Sequence, residues 1–195
     1  MTDYFALLDQ PRRPWLDPDE VKQAFHHKTL HAHPDAHAHA GNADTAEAFF
    51  AQINEAYQVL AEPKRRLHHL LTLSGHPPPK SAAVPPEIAN LFPVVAELIQ
   101  SIEALSGKID GATNPLSRSL LKPESLELQA RLTAQLHELQ ALDRAATVRL
   151  QRITDIWRPD DAEVTAELHG LYLQFSYLTR WRDELEEKQA CLRTS

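Results

Sequence analysis

The sequence predicts an all-α protein. Leu, Ala, Glu and Gln, which favour helices, are abundant among its 195 residues, whereas Gly occurs five times. Apolar residues recur at steps of three and four through several long segments, as they do on one face of an amphipathic helix. Five of the 14 prolines fall within residues 76–86, between those segments. The expected architecture is therefore two groups of helices joined by a proline-rich spacer.

Residues 1–75 predict an antiparallel helical hairpin with short flanking helices. A short helix is expected over residues 3–8, and its apolar side chains can pack beneath the hairpin. Asp17 before a proline is a typical helix start, because the carboxylate caps the first turn and proline is tolerated there. The second helix should run from that proline to about Ala32.

The third helix of this group is expected to begin near Thr45 and to face the second. A short fourth helix, residues 66–73, should follow the break at Glu62-Pro63 and end at Gly75, a residue that suits a helix C-terminus. The predicted inner face of the third helix consists of apolar residues at helical spacing: Ala46, Phe50, Ile53, Tyr57 and Leu60.

The turn of the hairpin contains the triplet His33-Pro34-Asp35. Proline cannot continue a helix and moves the residue before it out of the α region, so the triplet must lie between the two helices. A histidine, a rigid ring and a carboxylate at the exposed tip of a hairpin indicate a recognition point rather than part of a core.

The C-terminal part, residues 87–195, predicts a three-helix bundle. Three amphipathic segments each carry one apolar stripe, which must be buried against the others. Leu91 and Val95 belong to the first stripe and Phe175 to the last. Gly107 to Pro123 and Arg158 to Asp161 are expected to be the connecting loops. With residues 76–86 as a stiff linker, the predicted domains are 1–75, 76–86 and 87–195.

Composition narrows the possible functions. The formal net charge of −7 argues against a general nucleic-acid or anionic-membrane binder. Cys191 is the only cysteine, which excludes an internal disulfide and a cysteine-based zinc site. The N-terminus lacks the apolar core of a signal peptide. The longest apolar run, Leu91–Ile99, is interrupted by Pro93 and Glu97, so we expect no membrane span and a cytoplasmic protein.

Several motifs together carry a family resemblance. The segments Asp3–Leu8, His33–Asp35, Phe50–Leu60 and Glu62–Arg66 resemble, in order and spacing, the J domain of the DnaJ co-chaperones. The likeness continues in Leu70–Gly75 and Leu185–Lys188. This combination is similar to the HscB family, the J-domain co-chaperones of iron–sulfur cluster assembly.

The resemblance implies a chaperone-binding site. His33, Pro34 and Asp35 would contact a DnaK/HscA-type ATPase chaperone, with the aspartate paired to an arginine of its ATPase domain, and would accelerate ATP hydrolysis. Lys22, His26 and His27 would supply the adjoining helix face. The family usually has an Arg/Lys pair at the positions of these two histidines. Histidine in their place weakens the positive charge of this face at neutral pH. Lys28 replaces a usual Leu and Ala32 a usual Tyr.

The resemblance also implies a client-binding site, for an IscU-type iron–sulfur scaffold. On the first bundle helix it would use Leu91, Phe92 and Val95, although Ala96 replaces an acidic companion. On the last helix a family aromatic aligns with Gln174, so the adjacent Phe175 is the candidate. Core packing alone is the alternative explanation of these apolar residues.

Two alternative functions stay open, and a third, an enzyme, is not expected. A J-domain protein for a different client fits the same motifs. A His-rich metal-binding protein is a second alternative, since six histidines lie between His26 and His39 and imidazole suits zinc, nickel or copper. A flexible loop provides no fixed ligand geometry, however, so no metal and no cofactor is predicted. An enzyme is not expected, because no nucleophile motif or enclosed pocket accompanies the triplet.

Overall fold

The structure, a computed structural model, describes residues 2–32, 43–79 and 83–194. Over these ranges the regular secondary structure is entirely α-helical, which confirms the predicted fold class. In chain order the helices described are α1 (Tyr4–Leu7), α2 (Pro18–Ala32), α3 (Ala43–Ala61), α4 (Pro63–Leu73), α5 (Pro86–Ala89), α6 (Leu91–Asp110), α7 (Pro115–Ile156) and α8 (Ala162–Thr194).

Two predicted helix ends are confirmed by their hydrogen bonds. The Asp17 carboxylate accepts from the backbone N–H of Asp19 at 2.8 Å, which caps the first turn of α2. At the end of α4, Gly75 has a positive φ of 82°, and the His76 N–H donates to the Leu71 carbonyl at 2.8 Å. This arrangement satisfies carbonyls that the helix end would leave unpaired and explains the glycine there.

The chain divides into two compact units, and the division differs from the predicted domains 1–75, 76–86 and 87–195. The first unit comprises Met1–Ser81 and Thr147–Tyr172, and the second comprises Ala82–Ala146 and Leu173–Ser195. The segment 147–172 belongs to the first unit because it bonds to the N-terminal helices and their connectors. The Trp15 N–H donates to the Thr154 hydroxyl at 2.9 Å, and a His169 ring nitrogen lies 3.0 Å from the His76 carbonyl oxygen.

In the core of the first unit, α1 and α4 both pack against α3 of the hairpin, as predicted. Phe25 of α2 stacks on Tyr57 of α3, with ring centroids 4.5 Å apart, so the two long helices meet through aromatic rings. The buried apolar residues of the N-terminal helices and connector include Phe5, Leu8, Leu16, Val21, Ile53, Leu60, Leu67, Leu70 and Leu71. Those contributed by segment 147–172 include Leu150, Ile153, Leu168 and Leu171.

Arg66 is a buried cation that bonds to the connector between α1 and α2, residues 8–17. Its side chain is 4% exposed. The guanidinium donates to the Pro14 carbonyl at 2.8 Å and to the Leu60 carbonyl at 2.5 Å. Burial lowers the pKa of Arg66 to about 10. Two backbone carbonyls, one in the connector and one near the end of α3, are thus satisfied by a single side chain.

We expect Arg66→Met to lower the free energy of unfolding by about 2–4 kcal/mol, because it leaves two buried carbonyls without donors. Arg65→Met is the matched control. The Arg65 ion pair with Glu55, 2.7 Å long, is partly solvent-exposed, so its loss should cost about 0–1 kcal/mol. Urea denaturation of both variants measures the difference. Equal stability of the two variants would contradict the role assigned to Arg66.

The second unit is built on the apolar stripes of α6, α7 and α8. Its buried residues include Leu98, Ile102, Leu105, Leu128, Leu132, Leu139, Leu178, Trp181 and Leu185. The predicted loop from Gly107 to Pro123 is wrong for most of its length: α6 continues to Asp110, and α7 begins at Pro115 with Pro123 inside it. Leu121 and Leu128, on either side of that proline, both pack on the core, which favours a continuous helix.

By length and composition, one segment of the second unit could cross a membrane. Residues Pro86–Asp110 form 25 residues with a mean hydropathy of 1.4 in their most apolar window. The sequence analysis expected no membrane span, because Pro93 and Glu97 interrupt the apolar run Leu91–Ile99. A core helix passes the same test, and here every third or fourth residue from Ile88 to Leu105 is buried in the unit's own core. The apolar composition is therefore explained by packing.

Candidate functional site

The predicted chaperone-binding face lies on the solvent side of α2. Lys22, His26 and His27 are all exposed. Lys22 and His26 are four residues apart and so lie on the same side of the helix, with His27 next to His26 in sequence. Phe25, between them in sequence, turns inward onto α3. The helix therefore presents one permanent cation and two imidazoles outward while its aromatic side holds the hairpin together.

The triplet His33-Pro34-Asp35 lies outside the described residues. The last described residue before it is Ala32, the end of α2, and the next described residue is Ala43, the start of α3. The chain between the two helices thus begins with the triplet, directly after the face that carries Lys22 and His26. The role of the triplet in chaperone binding stays a prediction.

Lys28, which departs from the family pattern, is used inside the first unit. Its side chain is half-buried, and its ammonium pairs with the Asp9 carboxylate at 2.6 Å. Asp9 itself has a positive φ of 52°, just after α1. Sequence reasoning expected the stem of Lys28 to cover apolar surface but did not find this partner, because the pair joins residues 19 positions apart through a turn conformation that no local motif indicates.

The predicted client-binding residues divide into core and surface. Leu91 is 6% exposed, Val95 2% and Phe175 1%. All three side chains are buried, Leu91 and Val95 in the core of the second unit, so a partner that docks on this structure cannot contact them. This corrects the grouping of Leu91, Val95 and Phe175 with Phe92 as one client patch. Gln174, the residue that aligns with a family aromatic, is also buried.

Phe92 is the remaining candidate, and it belongs to an aromatic cluster that the sequence analysis missed. The ring is half-buried and stands edge-on to two other rings. Its centroid is 4.7 Å from that of Trp181 and 5.0 Å from that of Tyr177. Tyr177 and Trp181 are four residues apart on α8, a spacing that could have identified them as neighbours on one face. Val94 is 44% exposed, but it is two residues from Phe92 on α6, so the two side chains lie on different sides of that helix. The accessible apolar candidate is therefore Phe92.

The structure offers no support for a metal site within the residues it describes. Among them, no group of three His, Cys, Asp or Glu side chains converges with a geometry suited to a metal ion. Most of the histidine-rich stretch, from His33 to His39, lies outside those residues.

Comparison with known proteins adds independent evidence. The family model of the DnaJ domain matches residues 3–69. Over 138 residues the chain is 32% identical to the co-chaperone protein HscB homolog of Chromobacterium violaceum, which covers 69% of this chain and 76% of that protein. Over 66 residues it is 46% identical to the chaperone protein DnaJ of Campylobacter hominis, covering 34% of this chain but 17% of that protein.

Solved structures show a similar fold over nearly the whole chain. The chaperone HscB from Vibrio cholerae superposes with a TM-score of 0.58 at 22% identity, covering 98% of this chain and 99% of that one. Human co-chaperone protein HscB gives a TM-score of 0.51 at 17% identity, covering 96% and 82%.

The hairpin, its flanking helices and the matched domain define a J-domain protein. Because the similarity to a curated HscB homologue extends past the J domain over most of both chains, the class can be narrowed. The chain belongs to the HscB family of J-domain co-chaperones.

Proposed function

We propose that the chain binds a DnaK/HscA-type ATPase chaperone through His33, Pro34, Asp35 and the exposed face of α2, and stimulates its ATP hydrolysis. Membership of the HscB family is the observation that carries this proposal. The exposed side of α2 supports it, because Lys22 and His26 are available to a partner and the triplet follows that helix directly. The chain itself acts as a binding protein and not as an enzyme.

The α2 face can be tested without touching the triplet. We expect Lys22→Glu combined with His26→Glu to reduce stimulation of a DnaK-type chaperone roughly three- to tenfold, and more at low salt, because it replaces a cation and an imidazole of the proposed face with two carboxylates. Lys122→Glu, an exposed lysine of α7, is the matched control. Single-turnover ATP hydrolysis with increasing co-chaperone measures the effect.

A gain-of-function arm makes the same test sharper. His26→Arg restores the permanent cation that the family usually carries, so stimulation at pH 7.5 should increase. Loss of stimulation with Lys122→Glu alone, or no change in either α2 variant, would contradict the assignment of this face.

We further propose that the client is an IscU-type iron–sulfur scaffold and that it docks on the second unit at Phe92. Aromatic residues, Phe among them, are enriched at protein–protein interfaces, and this ring packs edge-on against Trp181 and Tyr177. The proposed complex forms in the cytoplasm, without a cofactor bound to the chain. A J-domain protein for another client would use the same α2 face and would fail to bind an IscU-type protein.

A further inference from the structure

A cavity of about 300 Å³ opens in the first unit, away from the α2 face. Its walls come from α1, α3, α4 and α8. The polar lining residues are Lys64, Arg65 and His68 of α4, and aromatic rings are supplied by Tyr4 and Tyr172. The buried side chains of Val59 and His69 complete it. The volume is at the lower limit of small-molecule sites, which suits a ligand of one ring.

The charge of this cavity is opposite to that of the chain. The formal net charge of the protein is −7, yet among the described residues no carboxylate lines the cavity. The Arg65 guanidinium already donates to Glu55 at 2.7 Å and to Gln58 at 3.4 Å. Lys64 has no ion pair within the part of the chain that the structure describes, so its ammonium is available to an anion.

A backbone hydrogen bond fixes the tautomer of His69, one of the lining residues. Its Nε2 accepts from the backbone N–H of Tyr4 at 3.1 Å, so the neutral ring carries its proton on Nδ1. Burial lowers the pKa of His69, and the nearby Asp3 only partly opposes that shift. The ring therefore stays neutral at physiological pH and keeps this tautomer.

Aromatic surfaces flank the charged side of the cavity. The Tyr4 ring stacks on His69 with centroids 4.7 Å apart, and the Tyr172 ring is tilted against His68 at 5.9 Å. Each lining tyrosine is thus braced by a histidine of α4, which fixes the shape of the walls. Planar groups pack well against such faces, and the apolar Val59 removes water from the same space.

We propose that this cavity binds a small organic anion: a phosphate monoester or a carboxylate carried on an aromatic or other planar body. Lys64 pairs with the anionic group, His68 and His69 line the same space, and Tyr4 and Tyr172 flank the planar body. The site is separate from chaperone binding, since its lining residues come from helices other than α2.

Titration of the full-length chain with phenyl phosphate, benzoate, inorganic phosphate and benzyl alcohol tests the proposal. The readout is the NMR shift of the Tyr4 amide and of the His68 and His69 ring protons. We expect saturable binding of at least one aromatic anion with a dissociation constant of about 1 mM or below, and at least tenfold weaker binding of the neutral alcohol. The phosphate and carboxylate arms identify the preferred anionic group.

Lys64→Glu should weaken binding of the aromatic anion about tenfold, as expected for loss of a charge-assisted contact, while Lys122→Glu should leave it unchanged. Absence of saturation with either aromatic anion would overturn the proposal, as would equal affinity for benzyl alcohol. Unchanged affinity in Lys64→Glu would also overturn it, because the anion would then lie elsewhere.

Discussion

Asp35→Asn is expected to abolish stimulation of a DnaK-type chaperone while leaving the helical fold intact. The family resemblance implies that this aspartate pairs with an arginine of the ATPase domain. The amide that replaces it keeps the shape of the side chain and loses the charge. A charge-assisted hydrogen bond is worth about 1.5–3 kcal/mol, so the loss should exceed about tenfold in single-turnover rate.

Asp155→Asn is the matched control for this experiment. It removes one carboxylate from an exposed position of α7, at the same cost in net charge. Circular dichroism and thermal melting should not distinguish either variant from the wild type, because Asp35 is predicted to lie in an exposed turn and Asp155 is exposed on α7. Equal stimulation by the wild type and Asp35→Asn would remove the proposed chaperone-binding role of the triplet.

The helical hairpin could be predicted closely because its signals are local. A capping carboxylate before a proline and a glycine after the last apolar residue determine helix ends by short-range hydrogen bonds, and both were found where expected. The start of α4 was placed three residues late. Glu62-Pro63 was interpreted as a break, whereas Pro63 occupies the first position of the helix, where its missing N–H costs nothing.

The connections of the second unit were harder to predict because tertiary packing overrides a local rule. Proline inside a helix costs about 3 kcal/mol, so a helix containing Pro123 was not expected. Likewise, no local pattern indicates that segment 147–172 joins the first unit, because that grouping depends on hydrogen bonds such as Trp15 to Thr154, 139 residues apart.

The client-binding residues show where resemblance and periodicity disagreed. The helical spacing that predicted the bundle already put Leu91, Val95 and Phe175 on the buried stripes, and the structure agrees with it. The resemblance instead grouped them with Phe92 as a surface. Periodicity describes what this chain can bury, and it was the better guide to these three positions.

Phe175→Ala should therefore mainly reduce stability, and Phe92→Ala should mainly reduce client binding. Phe175 is 1% exposed, so Phe175→Ala should lower the free energy of unfolding by about 3–5 kcal/mol through the cavity that it leaves. Phe92→Ala removes edge-on contacts with two rings, a loss of about 1–2 kcal/mol. Client affinity should show the reverse order, with Phe92→Ala weakening the binding of an IscU-type protein at least about tenfold.

Leu116→Ala is the control for loss of an exposed apolar side chain, because Leu116 is 72% exposed on α7. It should change neither stability nor client binding. Urea denaturation and calorimetric titration with an IscU-type protein, carried out below the melting temperature of every variant, measure the two effects separately. Full client affinity in Phe92→Ala would contradict the proposed docking surface. A wild-type chain that fails to bind the scaffold would contradict the iron–sulfur assignment. The α2 face and the triplet are tested separately, by ATP hydrolysis.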